Sequence, residues 1–413
     1  MNDGNAAEER QTSESLTNGH LAPTASDELH LYCVSVSVYT RVIRPALFAL
    51  DAERAHDLTM TALRQPLVVS FLGRGFDATF DHRLSQTVYG LGFVNPLGVA
   101  AGLDKQGTAV AAWLAIRFGS VEIGTVTPQP QPGNPKPRLF RLAPDRAIIN
   151  RFGFNSEGAE GVARNLSRAA EVRLKADTTA AIRRNPDSTA GFRVGINIGK
   201  NKDTPNERAA EDYVRTIDVL HQYADYFAIN VSSPNTTGLR DLQEGQSLRG
   251  LVEQAVHRVR EKSPNRAIPV LVKLSPDSPD DELIRSADAA VEGGAAGVIA
   301  TNTTVARPHL RSGAASKEAG GLSGAPLKAA ATSACRLLFR HFGKRVPIVG
   351  VGGIFTATDA YERIRAGATL VQVYTALIYE GPGMVQEILT GLTERMTRDG
   401  FARIEEAIGV DAH

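Results

Sequence analysis

Between Asn95 and Leu377 the sequence repeats one unit eight times: an apolar run too short for a helix, then a stretch carrying helix signals. The runs are NPLGVAAG, SVEIGTVT, FRVGINIG, YFAINVSS, IPVLVKLS, GVIATNTT, VPIVGVGG and LVQVYTAL. They are rich in Val and Ile and bounded by Gly, Pro or Asn, the pattern of parallel strands covered on both faces. Thr204-Pro205-Asn206-Glu207 reads as an N-cap, a first-position proline and a capping-box acid, and Ser278-Pro279-Asp280-Asp281 repeats the arrangement. Eight such units in roughly 300 residues are the arithmetic of an α/β fold, the closed (β/α)8 TIM barrel. A doubly wound open sheet is the rival.

Composition narrows the function classes. Lys+Arg 46 against Asp+Glu 45 leaves no basic excess, which argues against nucleic acid as a partner. Two cysteines, Cys33 and Cys335, supply neither a disulfide framework nor a zinc or iron–sulfur ligand set, and no metal site is expected. Residues 1–30 are polar, without the basic start and apolar core of a signal peptide, and read as a disordered tail. The most apolar stretch, LYCVSVSVYTRVIRPALFAL, carries Arg41, Arg44 and Pro45, so contact with a membrane surface fits it better than a span. Within residues 31–80, Val42, Ala46 and Leu50 share one helical face, and Leu58 and Ala62 another. That segment reads either as a helical cap packed on the barrel or as a surface-associating element. Residues 81–413 would form the barrel, with an insertion near 168–192 between a helix and the third strand, on the face opposite the chemistry.

In such barrels the loops after the strands form the active face. Reading the strand ends gives Ala101, Gly102 and Lys105, then Thr125, Asn197, Asn230 with Ser233, Lys273, Thr301 with Asn302, Gly352 with Gly353, and Tyr374 with Thr375. VGVGGIFTATDA places glycine N–H groups where an anion can approach, and Tyr374-Thr375-Ala376 completes a barrel phosphate site. Lys105 and Lys273 beside it suit an anionic ligand, though either lysine alone reads equally as a solvated loop residue. Asn150, Asn230, Asn235 and Asn302 offer paired donors and acceptors for a flat, neutral heterocycle. Any one of them alone is more simply a turn or capping residue. Ser233 has no histidine nearby, so it suits proton acceptance better than acylation. A hydroxyl does that only if its proton passes onward, through water or Thr236, while a strong acceptor draws off a hydride.

With these residues in view, the sequence resembles the dihydroorotate dehydrogenase family, in its membrane-associated, quinone-dependent class. AAGLDK, IGTVTPQPQPGNPKPRLFRL, INRFGFN, GINIGKNKDTP, INVSSPNT, VLVKLSPD, ATNTT, GGLSG and VGVGGI occur in family order from about Tyr39 to the C-terminal helix. The resemblance implies FMN held by Ala101, Gly102, Leu103, Asp104, Lys105, Thr125, Asn197, Asn230, Lys273, Thr301, Gly324, Gly353, Tyr374 and Thr375. It implies dihydroorotate, oxidised to orotate, contacted by Lys105, Asn150, Arg151, Phe152, Gly153, Phe154, Asn230, Asn235, Asn302 and Thr303. Ser233 stands at the catalytic-base position, where the soluble classes carry cysteine. His56 and Arg141 match polar positions of a tunnel for ubiquinone or menaquinone in the N-terminal segment. A monomer attached peripherally to the cytoplasmic side of the cell membrane is the implied state. The alternatives are a soluble fumarate- or NAD-linked relative, a flavin-dependent dihydrouridine synthase-like barrel acting on RNA, and a non-catalytic flavin or phosphate-binding module.

Overall fold

The computed structural model describes residues 38–75, 81–177, 190–236, 238–243 and 245–413. The eight apolar runs form β1 Leu97–Val99, β2 Ser120–Val126, β3 Arg193–Ile198, β4 Tyr226–Asn230, β5 Val270–Leu274, β6 Gly297–Ala300, β7 Ile348–Val351 and β8 Leu370–Val373. They pair in parallel in chain order, and β8 returns onto β1 with Val373 opposite Val99, closing the barrel. Closure removes the unpaired edges an open sheet would leave, so the rival open-sheet reading is set aside.

Strand alternation then sorts the side chains. In β4, Phe227 and Ile229 join the cluster between strands and helices, while Tyr226 and Ala228 turn to the barrel axis. The axis is filled toward its N-terminal end by Leu271, Ile299, Val349 and Leu370, with Val88 and Phe93 from the hairpin Gln86–Val88/Leu91–Phe93. Ala190–Gly191 pairs with Leu91–Phe93, so the described end of the insertion lies at the N-terminal face. The insertion's beginning continues the helix Gly158–Asp177, and residues 178–189 fall outside the described residues, as does the predicted polar tail.

Both predicted capping boxes are corrected. A 3-10 turn, Asn206–Arg208, precedes the helix Ala209–Leu220, and no side chain caps either. Lys200 Nζ claims the Thr204 carbonyl at 2.8 Å and Asn206 donates to the Gly238 carbonyl at 2.7 Å, so the local groups serve loop contacts instead. The helix Asp280–Glu292 starts where expected, yet its N-cap position is Pro279, which offers no side-chain acceptor. The box forms at Thr356 and Asp359, where each side chain accepts from the other's backbone N–H.

A second departure matters more. The loop after β2 carries two strands, Leu139–Leu142 and Ala147–Asn150, which form an antiparallel sheet with Gly321–Gly324 from the loop after β6. This sheet stands over the C-terminal mouth of the barrel. The N-terminal helices Arg44–Phe48, Ala52–Leu63 and Pro66–Gly75 lean on the same region. Met60, Leu63, Val69 and Leu72 face the core, whereas the predicted face residues Val42, Leu50 and Leu58 are exposed, along with Leu67 (85%) and Phe71 (76%). The apolar stripes the sequence suggests as a packed cap therefore point outward.

One buried ion pair ties this helical segment to the barrel. Arg138 Nη2 meets Glu53 Oε1 at 2.8 Å, with both side chains under a tenth exposed. Burial alone would raise the Glu53 pKa, but Arg138 and Lys136 override it and hold the carboxyl below its ordinary range. The pair is therefore complete at neutral pH and is lost on acidification, as the carboxylate protonates. Glu53→Ala leaves the guanidinium buried without its partner and should lower stability by about 3 kcal/mol in urea denaturation at neutral pH. A loss under about 0.5 kcal/mol would mean the pair behaves as a solvated surface contact.

Candidate functional site

The strand ends converge on a cavity under the upper sheet. Ala101, Gly102, Lys105, Thr125, Asn230, Ser233, Asn235, Lys273, Thr301, Asn302, Thr303, Gly324, Gly353, Tyr374 and Thr375 all line it, with Asn150, Phe152, Gly153 and Phe154 closing it from above. Four expected residues lie elsewhere. Leu103 lines a neighbouring cavity. Asp104 is fully buried and accepts from the Thr108 and Ala109 N–H groups and from Trp113 Nε1, so it organises the turn after β1. Arg151 turns outward to Glu318 at 2.6 Å and over the Phe140 ring. Asn197 sits behind the wall, accepting from Thr125 Oγ1 at 2.6 Å and from Asn230 Nδ2 at 3.2 Å.

Beneath the cavity lies a charged group that sequence reading passed over. Glu122, inside β2, has no exposed surface; it accepts from Asn197 Nδ2 at 2.8 Å and Gln372 Nε2 at 3.0 Å, and faces Lys273 Nζ at 3.8 Å. Burial is the main influence on Lys273 and lowers its pKa, while Glu122 opposes the shift. The acid in the apolar run SVEIGTVT was the available signal, because a charge in a two-sided buried strand requires a partner. Gln372 and Ser323, also missed, line the cavity; Gln372 leaves a buried Oε1 without a partner among the described residues, and Ser323 Oγ meets Thr375 Oγ1 at 2.8 Å.

The amides form two hydrogen-bonded sets, one on Asn150 and Asn235 and one on Asn230 and Asn302. Asn235 Nδ2 donates to Asn150 Oδ1 at 3.2 Å, and Asn302 Nδ2 to Ser232 Oγ at 2.9 Å and Asn230 Oδ1 at 3.3 Å. Ser233 Oγ accepts from the Asn235 N–H at 3.3 Å, and nearby Thr236 keeps a buried hydroxyl with no partner among the described residues. Lys105 Nζ donates to Asn155 Oδ1 at 2.9 Å and lies 3.0 Å from the centroid of Phe152. Burial, then the charge of Arg138, pushes its pKa down from 10.5 to about 7.

The far end of the cavity is a backbone cradle. Gly352 and Gly353 have φ of +110° and +71°, and a Cβ on Gly353 would stand 2.5 Å from Lys328 Cα. Only glycine fits there, leaving N–H groups at the surface of a space that suits a phosphate. With a polar rim that carries Lys105 and Lys273 and this cradle at the far end, the residues fit FMN. Among the described residues no group of His, Cys, Asp or Glu could hold a metal ion, and Cys335 is free and buried.

Next to this site is a second cavity, between the N-terminal helices and the barrel. Its walls are mainly apolar, and His56 and Arg141 are both on them. Arg141 donates to the Leu47 carbonyl at 2.9 Å and to that of Leu50, and its guanidinium stacks on Phe48. Burial, then the charge of Lys105, pushes the His56 pKa down to about 4, so its ring is neutral near pH 7. Tyr374 lines both cavities.

Comparison with known proteins gives a consistent result. The family model described as dihydroorotate dehydrogenase matches residues 83–396. A dihydroorotate dehydrogenase (quinone) of Anaeromyxobacter sp. (strain Fw109-5) is 48% identical over 369 residues, 89% of this chain and 96% of that protein. One from Deinococcus deserti is 47% identical over 383 residues, 91% of this chain and 100% of the other. Among solved structures, DHODH from Eimeria tenella in complex with ferulenol superposes with a TM-score of 0.76 at 39% identity, covering 87% of this chain and 95% of that one.

Lys105 gives this site a pH signature. A lysine with a pKa near 7 is cationic below that pH and neutral above it, so binding of the small carboxylate orotate should weaken roughly tenfold as pH rises across that value. The check is orotate binding by fluorescence quenching across pH, in the intact protein and in Lys105→Met. Identical pH profiles for the two would remove the lysine from anion binding.

Proposed function

The chain belongs to the dihydroorotate dehydrogenase family, and from that premise we propose how its own residues oxidise dihydroorotate to orotate and deliver the electrons to a quinone. The protein is an oxidoreductase of the quinone-dependent kind, acting in de novo pyrimidine biosynthesis. One observation carries the residue-level reading: Ser233, Lys105, Asn150, Asn230, Asn235 and Asn302 line a single cavity that also reaches a glycine cradle.

In this reading Gly353, Gly324, Tyr374 and Thr375 would hold the phosphate of FMN, and Ala101, Gly102, Thr125, Asn230, Lys273 and Thr301 would hold its ring. Bound FMN supplies the acceptor for the substrate's C6 hydride and the donor for the quinone. Lys105 holds the dihydroorotate carboxylate. Asn150, Asn235, Asn302 and Thr303 match the alternating N–H and C=O groups of the ring, and the Asn150–Phe154 loop excludes water. Ser233 Oγ takes the C5 proton. A serine hydroxyl accepts a proton only by giving up its own, which would pass onward to water, directly or through the Thr236 hydroxyl, buried and without a partner among the described residues.

The second cavity is the proposed quinone tunnel, for ubiquinone or menaquinone. Neutral His56 can donate to a quinone carbonyl without placing a charge in an apolar space. Tyr374, common to both walls, puts the tunnel against the flavin site. Exposed Val42, Leu58, Leu67 and Phe71 around the N-terminal helices suit peripheral attachment to a bilayer surface. Among the described residues no helix is long and apolar enough to cross a membrane.

Two variants separate the half-reactions. Ser233→Ala should retain FMN and orotate while slowing anaerobic flavin reduction by dihydroorotate by about 10²-fold or more. Near-normal reduction in stopped flow would remove the serine from its role. His56→Ala should leave that reduction intact and weaken quinone use about tenfold, the cost of one hydrogen bond. A defect confined to the dihydroorotate step would instead assign the second cavity to packing.

A further inference from the structure

Behind the glycine cradle lies a cation that makes no ion pair with a carboxylate among the described residues. Arg363, in the helix Ala357–Arg365, has no exposed surface. Its guanidinium Nη2 donates to the Gly352 carbonyl at 2.7 Å and to the Lys328 carbonyl at 3.3 Å, and Nε donates to Thr332 Oγ1 at 3.2 Å. Nη1 is buried and has no acceptor among the described residues. Two carboxylates lie near enough to act on Arg363 through space, Asp359 and Glu362, and both meet Lys328 Nζ directly, at 2.5 Å and 2.8 Å. The remaining polar neighbour is the Cys335 thiol, which donates to the Ala300 carbonyl.

An arginine does not deprotonate inside a protein. The hydrogen-bond acceptors of Arg363 are neutral and the acids near it are shared with Lys328, so a further negative charge brought close would stabilise it. The hydrogen bonds give the direction from which that charge comes. Arg363 grips the Gly352 carbonyl, and in a trans peptide the following N–H, that of Gly353, points the opposite way. Gly353 lines the cavity. A cation on the carbonyl polarises the whole peptide group and makes its N–H a stronger donor. Arg363 thus stands one peptide plane from the place where a phosphate would sit, and its field reaches that phosphate with little solvent between them.

We propose that Arg363 determines the selectivity of this site for a phosphorylated flavin over the same ring system without phosphate. It acts through the Gly352–Gly353 peptide and touches no ligand, so it is a positioning residue and not a catalytic one. The proposal rests on the reading that the cavity holds FMN. It adds the source of the positive charge in a cradle otherwise made of backbone.

The test compares FMN with riboflavin, titrated by flavin fluorescence into the full chain stripped of flavin. The intact protein should prefer FMN strongly; if it binds neither flavin, the FMN reading itself fails. Arg363→Gln keeps a side chain able to bond Gly352 and Thr332 but removes the charge. It should weaken FMN about ten- to a hundredfold while leaving riboflavin within about twofold. Arg363→Lys keeps the charge and should retain most of the preference. An unchanged FMN-to-riboflavin ratio in Arg363→Gln overturns the inference and leaves the flavin site standing. Equal losses in the Lys and Gln variants overturn it too, by assigning the effect to shape. Where Arg363→Gln yields no folded apoprotein, FMN release rates from the two variants loaded with flavin carry the comparison. Faster loss from Gln than from Lys supports the proposal, and equal rates contradict it.

Discussion

The C-terminal face of this barrel is organised by one buried carboxylate. Glu122 has no contact with solvent, and a lone carboxylate in that position would be strongly unfavourable. It is retained because Lys273 supplies opposite charge and Asn197, Gln372 and Tyr226 supply donors. Those obligations propagate upward. Asn197, committed to Glu122 through its Nδ2, presents its oxygen to Thr125 and Asn230, and Asn230 in turn fixes Asn302. A single charge inside a closed ring of strands therefore orients Asn230 and Asn302 at the mouth. An open sheet could not bring β2, β3, β5 and β8 around one carboxylate.

Above this layer, the added parts divide the labour between two spaces. The antiparallel sheet from the loops after β2 and β6 lowers Asn150, Phe152 and Phe154 over the polar cavity. The N-terminal helices, pinned by Glu53 and Arg138, enclose the apolar one. Tyr374 separates the two, and Lys105 and His56 are close enough to influence each other's protonation. This arrangement suits a reaction in which an anionic, polar substrate and a lipophilic acceptor must each reach one flavin without sharing an entrance.

Much of this was legible in the sequence because strand periodicity and strand ends are local properties. The eight runs each carry their own boundaries, and barrel closure follows from counting them. Fifteen of the expected strand-end and loop residues, from Ala101 to Thr375, with the Asn150 and Phe152–Phe154 segment above them, meet in one cavity. What was not legible depended on pairings between distant segments. LFRLAPDRAIIN reads as loop until Gly321–Gly324 arrives to pair with it. Asp104 and Arg151 sit inside family-like motifs, yet their side chains serve a turn and an outward ion pair. Thr204 and Ser278 have the right neighbours for caps, but loop contacts and a proline occupy those positions. Charges within apolar or amphipathic stretches, Glu122 and Arg363, marked buried electrostatics that only three-dimensional proximity explains.

The most direct test of this account is an anaerobic spectrum of the purified full chain, recorded before and after L-dihydroorotate and again after a soluble ubiquinone analogue. The account predicts a flavin band that bleaches with the first addition and returns with the second. A colourless protein that takes up no FMN, or a flavin band that dihydroorotate leaves untouched, would contradict it.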